Sequence, residues 1–332
     1  MIVVIGASGF IGSYLVRELV ARGHEVLATG RRKSALHYFE KQHVPTVELD
    51  IAKKEDFANL PTKGVEAVIL LAALLPANVC EEDDAYRYVD VNITGTLNVL
   101  EYCRRNNIKK LISTTSYADI QNKWEKDVAL PADTARDFSF TGDHASYIIS
   151  KNAATDFILR YNAEYGLQGV IFRLPPVYGV GPHSVIYVNG KVYKSGLQVF
   201  IEKAMAGTPI TIYGDKEVKR DVVSVKDVVS AFIAAASSPH AIGLYNISSG
   251  VAYSLEEQVE AIIDVFSAPD NRSLINYDRS RANNSRSYLL DISKAERDFS
   301  YNPRFADFHH LMEDYKRDLD SDVLRTFFGD RM

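Results

Sequence analysis

The sequence predicts a doubly wound α/β protein, in which a parallel sheet carries a smaller α/β lobe beside it. Three observations predict this fold: short apolar runs alternate with amphipathic stretches over residues 1–175, a glycine-rich turn follows the first run, and turn-forming residues cluster after residue 174. Strands separated by helices favour a parallel sheet with right-handed crossovers. The chain has 332 residues, 46% of them apolar, which is enough to bury such a core.

The individual elements follow from two periodicities. Short apolar runs predict strands, and apolar residues at helical spacing predict helices. The predicted strands are residues 2–5, 25–29, 44–49, 65–72, 110–114 and 169–174, and the predicted helices are residues 10–21, 91–103 and 145–165.

Turn-forming residues indicate a second lobe from residue 176. Pro175, Pro176 and the glycine-rich segment 179–182 interrupt the alternating pattern. Further on, Asn189 and Gly190 stand between β-prone residues, which predicts a type I′ hairpin over residues 185–193. This hairpin is either a surface turn or a lid over a substrate.

Charge and composition exclude several classes of protein. The 38 basic and 43 acidic side chains give a net charge of −5, which is unfavourable for binding nucleic acid. Cys80 and Cys103 are too few for a disulfide framework, and we expect no metal site. The longest apolar run, residues 67–75, is too short to span a membrane, and no cationic leader precedes the first strand. We therefore expect a soluble, cytoplasmic protein without nucleic-acid or membrane partners.

A glycine-rich turn lies between the first predicted strand and the first predicted helix. Glycines there permit a tight turn and a close approach of the backbone to a diphosphate, which the N–H groups at the helix start can bind. Because the turn joins a strand to a helix, it predicts a Rossmann-type dinucleotide-binding domain. The residues expected to contact the dinucleotide in this turn are Gly6, Ser8, Gly9, Phe10, Ile11 and Gly12.

The end of the second strand predicts which dinucleotide binds. NAD-binding proteins usually have an acidic residue there, whereas this chain has Arg31, Arg32 and Ser34, which can donate hydrogen bonds to a 2′-phosphate. We therefore expect NADP, with NAD as the alternative if this turn is only a solvated surface. Residues at the ends of the third and fourth strands also belong to the expected cofactor site: Asp50, Ile51, Ala72 and Ala73. Tyr147 and Lys151, further along the chain, are expected to contact the cofactor as well, and the Lys151 ammonium to bind its nicotinamide ribose.

Tyr147 and Lys151 lie four residues apart on a predicted helix, so their side chains share one face. A hydride-transfer enzyme needs a group that exchanges a proton with the substrate oxygen, and the Tyr147 phenol can do so. The pKa of a free tyrosine is about 10, so action near pH 7 requires roughly 4 kcal/mol of stabilisation of the phenolate. The Lys151 ammonium and a cationic nicotinamide can supply it.

A hydroxyl at the end of the fifth strand is expected to hold the substrate oxygen beside the phenol. We assign this role to Thr115, with Thr114 and Ser116 as neighbours. The alternative for each of the three is strand filling or turn capping. Asn92, on the preceding helix, either orients the proton relay or packs that helix through its amide.

Together these motifs resemble the extended short-chain dehydrogenase/reductases, and among them the NAD(P)-dependent epimerase/dehydratase family, which acts on nucleotide-activated sugars. The resemblance runs from residue 2 to about residue 300 and includes the segments 173–179, 212–227 and 290–295. It implies a dinucleotide-binding domain at residues 1–175, to which residues 218–249 return. It implies a substrate-binding lobe at residues 176–217 and 250–332.

The resemblance also implies substrate contacts and a partner. Arg220 would contact the diphosphate of a nucleotide sugar, with Arg286 as a second clamp, although both could instead form surface ion pairs. Thr115 and Tyr147 would contact the sugar. A homodimer would form through residues 84–106 and 145–165, whose apolar residues could equally belong to the domain core: Tyr88, Val91, Leu97, Leu100, Ile158 and Leu159.

The chain departs from the family directly after Thr115. Family members that dehydrate the sugar have Asp-Glu there and decarboxylases have a glutamate, whereas this chain has Ser116, Tyr117 and Ala118. Two reactions remain: a 4-keto-sugar reductase that uses NADPH, which the arginine pair narrowly favours, and a nucleotide-sugar 4-epimerase. Two further functions are less favoured, a reductase of non-sugar ketones or aldehydes and a non-catalytic sensor that binds the cofactor.

Overall fold

The computed structural model describes residues 1–76, 84–125, 127–142, 144–182, 185–188, 191–283, 286–321 and 326–328. Its strands are β1 (Ile2–Ile5), β2 (Val26–Gly30), β3 (Thr46–Glu48), β4 (Ala67–Leu70), β5 (Lys110–Ser116), β6 (Ala129–Leu130), β7 (Gln168–Leu174), β8 (Val177–Tyr178), β9 (Val185–Val188), β10 (Lys191–Lys194), β11 (Ile210–Tyr213), β12 (Lys219–Asp221), β13 (Val223–Ser224), β14 (Gly243–Asn246), β15 (Ala252–Ser254), β16 (Ile275–Asp278) and β17 (Leu289–Leu290). Its α-helices are α1 (Phe10–Ala21), α2 (His37–Lys41), α3 (Ala85–Tyr88), α4 (Gly95–Arg105), α5 (Ala145–Tyr165), α6 (Gly196–Ala206), α7 (Val225–Ser237), α8 (Leu255–Phe266), α9 (Ser293–Phe299) and α10 (Phe308–Leu319). The chain also forms three 3₁₀ turns (Lys33–Leu36, Lys54–Asn59 and Tyr117–Lys123), a π-helical turn (Val89–Thr94) and a helical turn at residues 326–328.

Seven strands form one sheet in the order β3-β2-β1-β4-β5-β7-β14. Every neighbouring pair in this sheet is parallel. The strand order reverses between β1 and β4, and in doubly wound proteins ligands bind at this point, at the carboxyl ends of the strands. The doubly wound sheet predicted from the sequence is confirmed.

Several boundaries differ from those that the sequence predicts. The strand expected at residues 44–49 is only Thr46–Glu48, and the strand expected to end at residue 114 continues to Ser116. The helix expected at residues 91–103 begins instead as a π-helical turn, after which α4 starts at Gly95. A Cβ at Gly95 would lie 2.7 Å from the Ile51 side chain, so a larger residue at the start of α4 would force Ile51 to shift.

Helices cover both faces of the sheet. On one face, Phe232 of α7 joins a core that contains Ile112 of β5. On the other face, Ile158 of α5 joins a core that contains Leu111 of β5. Because side chains alternate along a strand, Thr115 points to the same face as Leu111, which is the face that α5 covers.

The remaining short strands pair outside the main sheet, as β9 with β10, β11 with β16, β12 with β15, β13 with β8 and β17 with β6. In the sequence, α7 and β14 lie between segments that form these short pairs. α7 packs against α1, and β14 forms one edge of the main sheet. The turn predicted at Asn189 and Gly190 lies outside the described residues, whereas the strands on either side, β9 and β10, form an antiparallel pair. None of the described helices combines the length and apolar character that crossing a bilayer requires.

Candidate active site

The loop between β1 and α1 has the shape of a phosphate-binding loop. Gly6 has a φ of 93°, and a Cβ there would lie 2.6 Å from the backbone nitrogen of Ala72, so glycine is required. A Cβ at Gly12 would lie 2.3 Å from the Gly6 carbonyl oxygen, because α1 packs directly on the loop. Gly9 is exposed and precedes α1, which has no side-chain cap. An uncapped helix start behind an exposed glycine is well suited to an anion.

The basic turn, residues 31–34, lies beside this loop. A Cβ at Gly30 would lie 3.1 Å from the Ser8 hydroxyl, so the end of β2 is adjacent to the glycine-rich loop. Arg31, Arg32 and Ser34 are exposed, and within the described parts of the chain neither arginine forms an ion pair with a carboxylate. Two guanidinium groups are therefore available next to the site where a dinucleotide would place its adenosine ribose.

The other expected cofactor residues differ in accessibility. Asp50 is half-buried, and its Oδ1 accepts the Ala52 N–H at 3.1 Å, which holds the turn after β3. Ile51 is buried and packs against the start of α4. Ala72 and Ala73 follow β4 and are half-buried, and the Ala72 N–H donates to the Ile5 carbonyl at 3.0 Å. Asp50 and the two alanines thus lie at strand ends, as predicted, whereas the Ile51 side chain belongs to the core.

Tyr147 and Lys151 lie on α5 in a largely apolar environment. The Tyr147 ring packs against Leu74 and Tyr88, with the two tyrosine centroids 6.4 Å apart. Burial lowers the pKa of Lys151 to about 8. Burial also raises the pKa of Tyr147, and the nearby Tyr88 phenol raises it further. Both changes disfavour the charged forms. A Tyr147 phenolate would therefore need positive charge close to it, from the Lys151 ammonium or from a bound ligand.

Thr115 supplies a buried hydroxyl with no hydrogen-bond partner among the described residues. Leaving a buried hydroxyl unpaired costs roughly 1–3 kcal/mol, so this group indicates a missing partner such as a ligand oxygen. Its neighbours differ, because the Ser116 hydroxyl accepts the Ala118 N–H at 3.2 Å and Thr114 points to the opposite face. These contacts favour Thr115 over its neighbours as the substrate-binding hydroxyl.

Asn92 connects two elements of the site. Its Oδ1 accepts the Leu74 N–H at 2.7 Å, and its Nδ2 donates to the Leu74 carbonyl at 3.1 Å and to the Ser150 hydroxyl at 2.9 Å. Asn92 therefore fixes the segment after β4 against the helix that carries Tyr147 and Lys151. A further role of Asn92 in the proton relay stays a prediction.

Arg220 carries a positive charge that no described carboxylate pairs with. Its Nε is buried and unpartnered among the described residues, and the guanidinium lies near Tyr117, Tyr178 and Tyr288, where it lowers phenol pKa values that burial raises. The aspartates closest to it in sequence accept hydrogen bonds from other groups. Asp215 accepts the backbone N–H of Glu217, and Asp221 accepts the Ser249 hydroxyl and the Leu290 N–H. Asp227 accepts the backbone N–H groups of Arg304 and Phe305. A half-buried cation of this kind suits an anionic group of a ligand.

Arg286, the second predicted clamp, is exposed. Its guanidinium donates a hydrogen bond to the Gln121 carbonyl, in the 3₁₀ turn that follows β5. This bond places Arg286 beside the segment after Thr115. Its role as a clamp stays a prediction.

A buried ion pair beside the site was not predicted. Both carboxylate oxygens of Asp119 accept hydrogen bonds from Arg173, at 2.9 and 3.0 Å, and both side chains are buried. Arg173 also donates to the carbonyl of Ala132 and to the side chain of Asn246. An arginine inside an otherwise apolar strand was the signal that could have indicated a buried acidic partner.

Cavity size does not locate this site. A groove of about 530 Å³ lies between α1, α2 and α7, and its lining includes Tyr14, Tyr38 and Lys226. The lining contains none of the predicted catalytic or substrate-binding residues. The candidate site is identified instead by the glycine-rich loop, by Tyr147 and Lys151 on α5, and by the unpartnered polar atoms of Thr115 and Arg220.

Comparison with known proteins agrees with the motifs. Residues 2–248 match the model of the NAD dependent epimerase/dehydratase family. A proposed UDP-glucose 4-epimerase of Methanocaldococcus jannaschii is 29% identical over 301 residues, which cover 89% of this chain and 91% of that protein. UDP-glucuronic acid decarboxylase 1 of Arabidopsis thaliana is 25% identical over 92% of this chain and 66% of that longer protein.

Solved structures agree with the fold. A UDP-N-acetylglucosamine 4-epimerase from Methanobrevibacter ruminantium, in complex with UDP-N-acetylmuramic acid, has a TM-score of 0.76 and 25% identity, covering 95% of this chain and 96% of that one. A UDP-glucose 4-epimerase from Thermus thermophilus, in complex with NAD, has a TM-score of 0.73 and 24% identity, covering 95% and 98%.

Proposed function

Because the chain belongs to the NAD dependent epimerase/dehydratase family, we propose that it is a nucleotide-sugar 4-epimerase that uses a bound nicotinamide dinucleotide. This choice corrects the narrow preference for a reductase drawn from the sequence. The Methanocaldococcus jannaschii relative matches along most of both chains and is a proposed epimerase, which supports the epimerase more strongly than the reductase.

One observation carries the proposal. The unpartnered Thr115 hydroxyl lies on the face of the sheet that α5 covers, and α5 brings Tyr147 and Lys151 to the same side. A proton-transfer group, a cation and a hydroxyl donor are the groups that oxidation of a secondary alcohol and its reversal require.

The residues present fit a nicotinamide dinucleotide. The positive φ of Gly6 and the exposed Gly9 shape the loop, and the uncapped start of α1 faces the position of a diphosphate. Asp50 and Ala72 lie at the ends of β3 and β4, on the same edge of the sheet. When bound, the nicotinamide accepts a hydride from C4 of the sugar and returns it.

The chain's own residues handle the proton and the orientation of the substrate. The Tyr147 phenolate takes the proton of the C4 hydroxyl as C4 is oxidised, and the phenol returns it to the C4 oxygen after the sugar has turned over. The Lys151 ammonium stabilises the phenolate, and the Thr115 hydroxyl donates a hydrogen bond to the C4 oxygen. Arg220 binds the diphosphate, which stays in place while the sugar turns.

The position of Asp119 argues against dehydration and decarboxylation. It is the first carboxylate after Thr115 in the chain, and both of its oxygens are held by Arg173 in a buried pair. A carboxylate in this arrangement is not available to move a proton on the substrate. This chain is similar to a decarboxylase along its length, but it lacks a free carboxylate at the position where we expect decarboxylation to need one.

The basic turn favours a second candidate, a 4-keto-sugar reductase that uses NADPH. The exposed arginines suit the 2′-phosphate of NADP, and a net reduction draws on NADPH. An epimerase instead restores its cofactor in every cycle, so either dinucleotide serves it.

A substrate panel distinguishes the two candidates. Purified protein is mixed with UDP-glucose, UDP-N-acetylglucosamine and their C4 epimers, and separately with 4-keto nucleotide sugars and NADPH. Inversion of the sugars without net change in absorbance at 340 nm supports the epimerase. Consumption of NADPH by a 4-keto sugar, with no inversion in the first set, would make the protein a reductase.

The cofactor preference has its own test, in which Arg31 and Arg32 are both changed to alanine. We propose that these residues bind the 2′-phosphate of NADP, and each charge-assisted hydrogen bond contributes roughly 1.5–3 kcal/mol. We expect the affinity for NADP to fall at least about tenfold, while the affinity for NAD stays nearly unchanged. Titration of both dinucleotides measures this, and equal losses for both, or none, would show that the turn is only a solvated surface.

A further inference from the structure

We propose that the C-terminal turn, residues 326–328, positions the basic turn for cofactor binding. This inference rests on the proposed cofactor site. It assigns a role in ligand binding to residues almost 300 positions away from the basic turn in the sequence.

The segment that begins within the basic turn and continues through α2 cannot fix its own orientation. It consists of the 3₁₀ turn Lys33–Leu36 and the helix α2, which has five residues and no side-chain cap. A helix this short gains too little from its own hydrogen bonds to be stable alone. Its position therefore depends on the side chains that anchor it, Leu36 and Phe39, which are both 1% exposed.

The C-terminal turn completes this anchor. The Phe327 ring lies 4.5 Å from the Tyr38 ring, nearly perpendicular to it, and 5.3 Å from the Phe39 ring. Phe328 packs edge-on against Phe327 at 4.8 Å, and the two phenylalanines are 5% and 2% exposed, Phe327 first. Aromatic pairs of this geometry contribute beyond the area that they bury.

The anchor is continuous with the cofactor site. Leu36 directly precedes α2, and a Cβ at Gly30 would lie 3.2 Å from the Leu36 side chain and 3.1 Å from the Ser8 hydroxyl. A displacement of α2 therefore moves Leu36 against the residue that precedes Arg31. Bidentate binding by an arginine is sensitive to orientation, so the affinity for the dinucleotide falls when this segment shifts.

Linkage makes the effect reciprocal. If the C-terminal turn favours the conformation that binds the cofactor, then the bound cofactor must stabilise the C-terminal turn by the same free energy. This consequence can be measured in the unaltered protein.

The test compares Phe327→Ala with Phe327→Leu, which keeps an apolar side chain at the anchor. We expect Phe327→Ala to weaken NADPH binding at least fivefold, as measured by the fluorescence of the nucleotide. The affinity for UDP, measured by calorimetry, should change less than twofold. Phe327→Leu should restore the NADPH affinity to within twofold. The matched control is Phe266→Ala, which removes another buried ring, one that packs on Tyr315 of α10. It should lower the melting temperature and leave NADPH binding intact.

Hydrogen exchange in the unaltered protein gives a second measurement, which does not depend on the folding of a variant. Added NADPH should slow exchange in residues 326–328 as well as in residues 33–41. Unchanged exchange at the C-terminal turn, or full NADPH affinity in Phe327→Ala, would overturn the inference while leaving the proposed enzyme intact. Failure of the unaltered protein to bind any dinucleotide would overturn both, and it would be visible before any variant is made.

Discussion

At the residue scale, Lys151 holds a positive charge where burial disfavours it. Its side chain is 6% exposed, and burial lowers its pKa from 10.5 to about 8. The unfolded chain therefore binds more protons than the folded one between pH 8 and pH 10.5, and the stability contribution of this group rises with pH across that window. Below pH 8 the full cost applies, about 3 kcal/mol.

We predict that Lys151→Met stabilises the protein at pH 7 while abolishing turnover. Methionine has a similar length and no charge, so it removes the cost of burial together with the ammonium that stabilises the phenolate. Urea unfolding at pH 7 should give a free energy of unfolding about 2–3 kcal/mol above that of the unaltered protein, and the difference should shrink towards pH 10. A destabilised variant at pH 7 would contradict the buried, charged state of Lys151.

We also predict that Tyr147→Phe removes nearly all turnover but keeps dinucleotide binding, because phenylalanine cannot transfer the proton. A positioned acid–base group contributes about 10²–10⁴-fold, so the rate should fall at least about 100-fold. Tyr88→Phe is the matched control, since its ring lies 6.4 Å from that of Tyr147 in the same apolar cluster. If Tyr147→Phe retained more than about a tenth of the rate, the proton-transfer role would be wrong.

At the scale of elements, one buried network fastens three neighbouring strands at the end of the sheet that carries the site. Arg173 belongs to β7, Asp119 to the 3₁₀ turn after β5, and Asn246 to β14. The Asn246 amide in turn donates to the carbonyl of Leu130, at the end of β6, and to that of Asp291, just after β17. The network therefore connects the turn after Thr115 to elements outside the main sheet.

Breaking this network should cost more than removing it as a unit. Asp119→Asn leaves the Arg173 guanidinium buried without a counter-charge, and we expect a loss of about 3–5 kcal/mol in the free energy of unfolding. The double variant Asp119→Leu with Arg173→Met removes both charges and should lose less than the sum of the two single changes. Urea unfolding of the unaltered protein, Asp119→Leu, Arg173→Met and the double variant measures the coupling, and strictly additive losses would contradict an interacting pair.

At the scale of the whole molecule, the oligomeric state is a prediction that follows from the family resemblance. Of the apolar residues expected at a helical interface, Tyr88, Leu100 and Ile158 belong to the core, whereas Leu159 is 38% exposed. Ile149, on the same helix, is 44% exposed. We propose that these two residues of α5 contribute to a homodimer.

Light scattering after size exclusion tests the dimer. The unaltered protein should elute with twice the mass of the chain, and Ile149→Asp with Leu159→Asp should halve that mass without loss of secondary structure. Leu274→Asp changes another exposed leucine, in the lobe, and should leave the dimer intact. A monomeric unaltered protein at micromolar concentration would contradict the proposal.

Local patterns predicted the sheet and the placement of Tyr147 and Lys151 on one helix, but not the contacts between distant segments. Ile2–Ile5 and the glycine turn are recognisable from periodicity and composition, and Tyr147 with Lys151 from helical spacing. The Asp119–Arg173 pair and the packing of Phe327 on Tyr38 join residues that are far apart in the sequence. A pattern read from a short stretch of sequence cannot predict such contacts. The close approach of Gly95 to Ile51 is likewise a tertiary contact between segments distant in sequence.

The central claim is that a hydride leaves C4 of a nucleotide sugar and returns to the opposite face of the same carbon. UDP-glucose carrying deuterium at C4 is incubated with the purified protein in ordinary water, and the products are followed by NMR. We expect inversion at C4 with the deuterium retained on that carbon, and no inversion in Tyr147→Phe. Inversion that replaces the deuterium with solvent hydrogen, or no inversion by an unaltered protein that does reduce a 4-keto nucleotide sugar with NADPH, would contradict this.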